Sequence, residues 1–555
     1  MLRIRIIMEI FVDKFGSSDN FASALTEAVK NMQNGDTLVF SNKTYHIYKD
    51  FCQSRFVHFS NTDSFKNPQK YFAMLFEGLE NITLEGNGAT FAVHGDICSL
   101  GVINCKNVKM RNFTVNYPAP SNVEMTVKSK KGRKVVYEIP KTTLWYVQGK
   151  DIVFFEQSPF TKKNYWQFKN DENSSVSVCH SADGNVYRVL KVKSVFASVR
   201  SVKRLSTTEV EIEYALPRSF KVGDTYAVSQ NNNRNTCGVF VGESENVSAE
   251  NITVNYMAGF GWLTQMCGNV SFNNVVFKPD SAHCVSSFAD LIHVCGCKGQ
   301  VKISNCSFEH PHDDGINIHG AFLRFNKKLG DSKAVFEFVH RQQGGYKAFN
   351  AGDRVKFYYR TSLGELPGEY TVKSAVDDIE NKQVTVEFCE KLPKEIEARA
   401  LAQSNIVAEN ITYCPNVEIS HCKFNSIPTR GILCTTSGKV LIHDNTFNKV
   451  KMAHIFVSND AADWYESGPV SNMEIYDNTF NVNKKGRGNN AVLIEPITLG
   501  GKISTPVHKN IKIHDNIFNM GSGVPVSAQG VENLQVYDNV FNGSSKIKTK
   551  ACREV

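Results

Sequence analysis

Ten stretches of this chain share one pattern, and no other feature limits its fold as tightly. Each opens on Asn or a polar relative, then alternates aliphatic and polar residues, and closes on Phe or Val. They begin at Asn81 (NITLEGNGATF), Asn107 (NVKMRNFTV), Asn246 (NVSAENITV), Asn269 (NVSFNNVVF) and Gln300 (QVKISNCSF), and continue at Asn416 (NVEISHCKF), Lys439 (KVLIHDNTF), Asn472 (NMEIYDNTF), Asn510 (NIKIHDNIF) and Asn533 (NLQVYDNVF). The shortest spacing, 23 residues, recurs three times. Alternation of period two means strands, and a unit of this length fits one coil of about three short strands. Stacked coils put like residues in register, so the chain is predicted to be all-β: a right-handed parallel β-helix. The recurring Asn suits a left-handed turn residue or a side-chain amide ladder. A leucine-rich repeat would need a leucine signature that is missing, and a propeller a period of about 40.

Two spacings are far longer, 139 and 116 residues. Both hold alternating runs, Glu209–Tyr214 in the first and Gln383–Phe388 in the second. Each is predicted to be a small inserted antiparallel β-barrel. Before the coils, the stretch from Met1 to Val12 reads as a strand. Phe21, Leu25, Ala28, Val29 and Met32 then share one helical face from Phe21 to Asn34, which Gly35 and Asp36 end. A helix followed by short strands suits a cap on the open end of the stack. The expected division is a cap at 1–50, β-helix at 51–117, barrel at 118–231, β-helix at 232–321, a second barrel at 322–404 and β-helix at 405–555.

The net charge is +8, but the surplus sits in local runs such as Lys128–Lys134, with no long basic helix. That is a solvated surface, not a nucleic-acid footprint. The 15 cysteines often stand where a neighbouring repeat has a small hydrophobe, so they are read as buried packing residues. The spacing of Cys284, Cys295 and Cys297 does not match a zinc knuckle, and neither metal nor cofactor is expected. No apolar run is long enough to span a membrane. The opening residues read as a strand, not a leader, so the chain is placed in the periplasm or outside the cell only if a leader has been removed, and otherwise in the cytoplasm. A homodimer through the side of the β-helix is left open.

The candidate site is His310-Pro-His-Asp-Asp-Gly-Ile-Asn-Ile-His-Gly320. Aligning coils starts successive strands at Gly261, Asp290, Asp314 and Arg430, which puts these residues in one column. Ile292, Val294, Ile316 and Ile318 then point inward, and His293, Asn317 and His319 outward. Carboxylates on adjacent coils would lie about 5–10 Å apart, a separation suited to glycoside hydrolysis with one acid and one base, and a wide gap predicts inversion. Crowding of Asp290, Asp313 and Asp314 should keep one of them protonated. Arg430, His293, Asn317 and His319 can hold sugar hydroxyls. The long turn Asn459–Pro469 adds Trp464 as a sugar platform and Glu466 as a hydroxyl acceptor.

With HDDGINIHG, the aspartate one coil earlier, the β-helix repeats and two barrel insertions, nearly the whole chain resembles glycoside hydrolase family 110. The resemblance implies metal-independent, inverting release of terminal α-1,3-linked galactose, as from the blood group B determinant. It implies Asp290 as general acid, and Asp313 with Asp314 activating water. Three other readings compete. A β-helix glycosidase of the polygalacturonase kind also uses three aspartates, but its anionic substrate wants a basic groove, and Arg430 is the only cation the column supplies. A polysaccharide lyase would need Ca²⁺ or a basic catalyst. The third is a non-catalytic carbohydrate-binding or adhesin β-helix, marked by a wild type without hydrolysis or by full hydrolysis in Asp313→Asn and Asp290→Asn variants.

Overall fold

The computed structural model describes residues 8–16, 20–169, 175–230, 234–396, 405–482, 490–501 and 503–553. The repeats stack as parallel coils, each wound through two long sheets in register. Val108, Val247 and Val270 pair across three successive coils, as do Phe113, Ile252 and Val275. In the first four repeats the opening Asn serves both expected purposes. Asn81, Asn107, Asn246 and Asn269 all sit at φ between +40° and +58°, where Asn is tolerated and bulky residues are strained. Their amides also form a ladder: Asn107 donates to Asn81 at 2.7 Å, Asn246 to Asn107 at 2.8 Å and Asn269 to Asn246 at 2.9 Å. The Phe that closes each repeat stacks inside, from Phe277 through Phe308, Phe424, Phe447, Phe480 and Phe518 to Phe541, with ring centroids 4.7–5.3 Å apart. That is the spacing of adjacent strands, so one aromatic per coil fills the axis without gaps.

The N-terminal end is capped by a strand at Glu9–Phe11, a helix at Ala22–Lys30 and strands at Thr37–Val39 and Thr44–Tyr48. Residues 1–7 of the expected first strand lie outside the described residues. The helix stops short of the predicted Asn34. There Asp36 turns its carboxylate back to accept from the Gln33 amide at 2.9 Å, which replaces a further helical turn. Among the described residues no helix is long and apolar enough to cross a membrane. The cysteines are free, and most are buried in the coils.

The first inserted domain carries a seven-stranded and a three-stranded antiparallel sheet around one core that includes Tyr137, Trp145, Phe154 and Phe220. The second closes completely. Strand Ile316–Gly330 runs out of the β-helix and pairs with Lys333–Glu337, the ring continues through Gln383–Phe388, Tyr370–Asp378 and Arg354–Tyr359, and Ile406–Asn410 returns to the first strand. The strand that starts at the acidic turn is thus also a stave of this barrel, which fixes the barrel's attitude to the site.

Candidate active site

Strand register decides which side chains meet. Ile292 pairs with Ile316 and Ile316 with Ile432, so Asp290, Asp314 and Arg430 stand in one column, two residues before each. The coil before them is shifted by one residue from the sequence alignment. Trp262 pairs with Ile292, so Phe260, not Gly261, heads that coil's column. Gly259, just before Phe260, sits at a φ of +62° in the turn into this strand. Gly261 instead packs on the neighbouring backbone, where a Cβ would meet the Asp290 carbonyl oxygen at 2.0 Å.

Asp290, Asp313 and Asp314 form one buried cluster in which a carboxylate oxygen of each lies within 4.8 Å of the others. They are tighter than the coil spacing predicted, because Asp313 and Asp314 are neighbours in one turn and the Asp314 amide donates to Asp290 Oδ1 at 3.1 Å. Three arginines balance them. Arg234 Nη2 lies 2.6 Å from Asp313 Oδ2, Arg188 2.9 Å from its other oxygen, and Arg430 pairs with Asp314 through Nε and Nη2, both at 2.8 Å. Burial opposes the charge on Asp313, but Arg188, Arg234 and Arg430 outweigh it and hold its pKa below the usual value. Asp290 and Asp314 go the other way. Burial first, then the Asp313 charge, pushes Asp290 up to about 6. Burial, opposed by Arg430, leaves Asp314 at about 6 as well. Among the described residues this trio is the one acidic or histidine cluster spaced to hold a metal ion. Three guanidinium groups already occupy its cationic role.

The histidines that parity points outward are buried. His293 is 0% and His319 1% exposed, because the inserted elements cover that face. Their hydrogen bonds form a directed chain. His319 Nδ1 is 2.6 Å from the Gly320 carbonyl, which only accepts, so Nδ1 carries the hydrogen. His319 Nε2 then accepts from His293 Nε2 at 2.9 Å. A neutral His293 is left with a bare Nδ1 facing Asp290 Oδ2 at 2.9 Å. Burial and His319 hold His293 well below its ordinary pKa. With His293 neutral, that last bond takes its hydrogen from Asp290 when the Asp290 carboxyl is protonated.

The pocket over the trio encloses about 230 Å³ and is lined by all the expected residues except Asp314, at its back, and His319. Asn317 shows its side chain to the cavity. Trp464 stands at the rim with His340 of the second inserted domain 4.2 Å away, ring to ring. Glu466 is brought in because its strand, Glu466–Ser467, pairs back onto Gly320–Ala321. Burial pushes Glu466 up to about 8, so its carboxyl can donate as well as accept. It accepts from Asn61 Nδ2 at 2.8 Å.

Sequence reasoning missed Asn61, Arg188, Arg234, Phe260, Thr429 and Met452, which also line the pocket. Arg188 comes from a strand of the first inserted domain and Arg234 from its exit, so neither shares a register with the coils. The column itself supplies Arg430, and these two further arginines reach the trio from outside it. Asn61 Oδ1, Asn317 Oδ1 and Thr429 Oγ1 are buried with no hydrogen-bond partner among the described residues. Such atoms are costly unless a ligand completes them, and hydroxyl groups would.

Comparison with known proteins agrees with this architecture. Residues 334–400 match the family described as GLAA-B beta-barrel domain II, and residues 404–551 the right-handed beta helix region. An alpha-1,3-galactosidase A of Streptomyces avermitilis is 32% identical over 540 residues, covering 94% of this chain and 84% of that protein. A protein of the same name from Bacteroides thetaiotaomicron is 29% identical, covering 95% and 89%. Among solved structures, an exopolygalacturonase of Thermotoga maritima aligns over 97% of this chain and 92% of its own, at 10% identity and a TM-score of 0.37. With two β domains set into a parallel β-helix and a relative this similar along nearly its whole length, the chain belongs to the α-1,3-galactosidases of glycoside hydrolase family 110.

Proposed function

We propose that this protein is an exo-acting α-1,3-galactosidase that removes terminal α-1,3-linked galactose from glycans such as the blood group B determinant, and linear Galα1-3Gal as well. The observation that carries the reading is the small pocket itself: Asp290 and Asp313 line it, and so do three unpaired polar atoms. Its volume is below the roughly 300–1,000 Å³ usual for ligand pockets, which suits one sugar unit and not a polymer passing through.

Acid catalysis needs a carboxyl group that keeps its proton near neutrality, and base catalysis a carboxylate that does not. The arrangement supports Asp290 as the proton carrier and Asp313 as the ionised partner, with Asp314 completing the water site. Burial, then the Asp313 charge, raises Asp290, and Asp313 is held ionised by its arginines. Asn61, Asn317, Thr429 and Glu466 are placed to hold hydroxyls, and Trp464 offers an apolar face to the ring.

Inversion follows from the family resemblance. The trio's spacing favours a second reading, because oxygens within 4.8 Å are nearer the roughly 5–5.5 Å of retaining enzymes than the 6.5–9.5 Å of inverting ones. The two readings part on the first anomer released: β-galactose for inversion, α-galactose for retention. Roles are tested with an aryl α-galactoside whose leaving group needs no proton. Asp290→Asn should keep most of its rate on that substrate and lose it on a natural glycan. If Asp313→Asn behaves that way instead, the two roles are exchanged.

A further inference from the structure

A second cleft, of about 380 Å³, lies between the first inserted domain and the N-terminal coils. We propose that it is a carbohydrate-binding subsite for the part of the substrate glycan beyond the scissile galactose, a placement that rests on the galactosidase reading of the active site.

Position is the first argument. The cleft uses the turns that lead into three successive strands of one sheet, with Lys70 near the first, Asp96 before Cys98–Ile103, and Asn235 before Cys237–Gly242. The catalytic trio uses the same row of turns further along, at Ile292–Cys295 and the strand that begins at Ile316. The order of strands is unbroken: Leu100 pairs with Val239, Cys237 with Phe260, and Trp262 with Ile292. From Asn235 to Asp290 is two strand steps and from Asp96 three, so the cleft lies about 10–15 Å from the trio along the same side of the β-helix. The two sites also share a segment, since Arg234 bonds Asp313 while Asn235 lines the cleft. That distance is the reach of a short oligosaccharide.

Chemistry is the second argument. One wall carries Tyr165 and Trp166, both half-buried. Trp166 is fixed in place: its Nε1 donates to Glu156 Oε2 at 3.0 Å, and the same oxygen accepts from the Gly95 amide at 2.9 Å. The strand bearing the aromatics is thereby pinned to the turn bearing Asp96. Polar groups line the same cleft. Lys70, only 3% exposed, bonds the Asn235 carbonyl. Asp96 Oδ1 is buried and has no partner among the described residues, and burial raises the pKa of its carboxyl. A fixed aromatic side chain in the same cleft as a buried, unsatisfied acceptor suits a sugar ring, whose C–H face packs on the aromatic while a hydroxyl donates to the acceptor.

Two measurements on the full chain test this. The first is kcat/KM for Galα1-3Gal and for longer glycans ending in the same linkage. The wild type should favour the longer glycan about tenfold, and Asp96→Asn and Trp166→Phe should each bring that ratio towards one. Equal kcat/KM at all chain lengths, or a ratio unmoved by both variants, would overturn the proposal. The second is calorimetric titration with lacto-N-neotetraose, which has no α-linked galactose. Millimolar binding by wild type, weakened at least fivefold in Asp96→Asn, supports the subsite, and no binding, or equal binding, counts against it. If no α-1,3-galactoside is cleaved, the active-site reading fails and the titration still decides the cleft.

Discussion

Asp290→Asn should make the protein more stable while it destroys activity, and the size of the gain follows from the site. The introduced amide can keep both hydrogen bonds: its oxygen accepts from the Asp314 amide and its NH₂ group donates to His293 Nδ1, as a protonated Asp290 does. The folded-state pKa of Asp290 is about 6, against roughly 3.9 in an unfolded chain. Between those values the folded state binds the extra proton, so stability is present in full below about pH 4 and is lost as pH rises through 6. Two units at about 1.4 kcal/mol each put the loss near 3 kcal/mol at neutral pH. Asp314 shares the proton, so the neutral side chain should recover about 1–3 kcal/mol at pH 7.5 and nothing at pH 4. For a chain this long that is a rise of a few degrees in Tm, read by calorimetric scans at the two pH values. Hydrolysis of a natural glycan should fall at least a hundredfold. A variant that melts lower than wild type at pH 7.5 would refute the reasoning, because it would mean that Asp290 is an anion paired with a charged His293.

Other consequences follow from the same geometry. Asp313→Asn should reduce kcat/KM by about 10²–10⁴-fold with little change in fold, measured beside circular dichroism. The alkaline limb of the wild-type pH profile should fall near pH 6–7, where Asp290 and Asp314 lose their protons, and Asp313→Asn, by removing a neighbouring negative charge, should shift it to lower pKa. Prolonged dialysis against a chelator should leave activity unchanged, since arginines supply the positive charge at the trio. His312, buried beside His180, is held at about 3 by burial. Its folded pKa is depressed, so it costs stability progressively as pH drops from about 6.5 towards 3, and His312→Gln should lower the pH of acid unfolding.

The coil architecture was legible because a period-two pattern repeated at fixed length leaves few alternatives: inward Ile292 and Ile316 force Asp290 and Asp314 to the same column. Register failed by one residue at Phe260, just after a left-handed glycine in the turn, where the pattern itself is undisturbed. Arg188, Arg234 and Asn61 were not legible, since they reach the site from an inserted domain, its exit and an early loop, and only the folded path of the chain brings them there. The parity that points His293 and His319 outward from the coil says nothing of what covers them. What buries them is sequence from elsewhere, including the Glu466 strand. Glu466 was named for the pocket, yet its protonation depends on burial that no local pattern encodes.

The central claim is that Asp290, Asp313 and Asp314 hydrolyse a terminal α-1,3-linked galactose. Time-resolved proton NMR of the wild-type protein with Galα1-3Gal tests it most directly. The account predicts a rising signal from β-galactose before mutarotation, absent with Asp313→Asn. Initial release of α-galactose would contradict inversion, and no galactose at all, or full activity in Asp313→Asn, would contradict the assignment of this pocket as the active site.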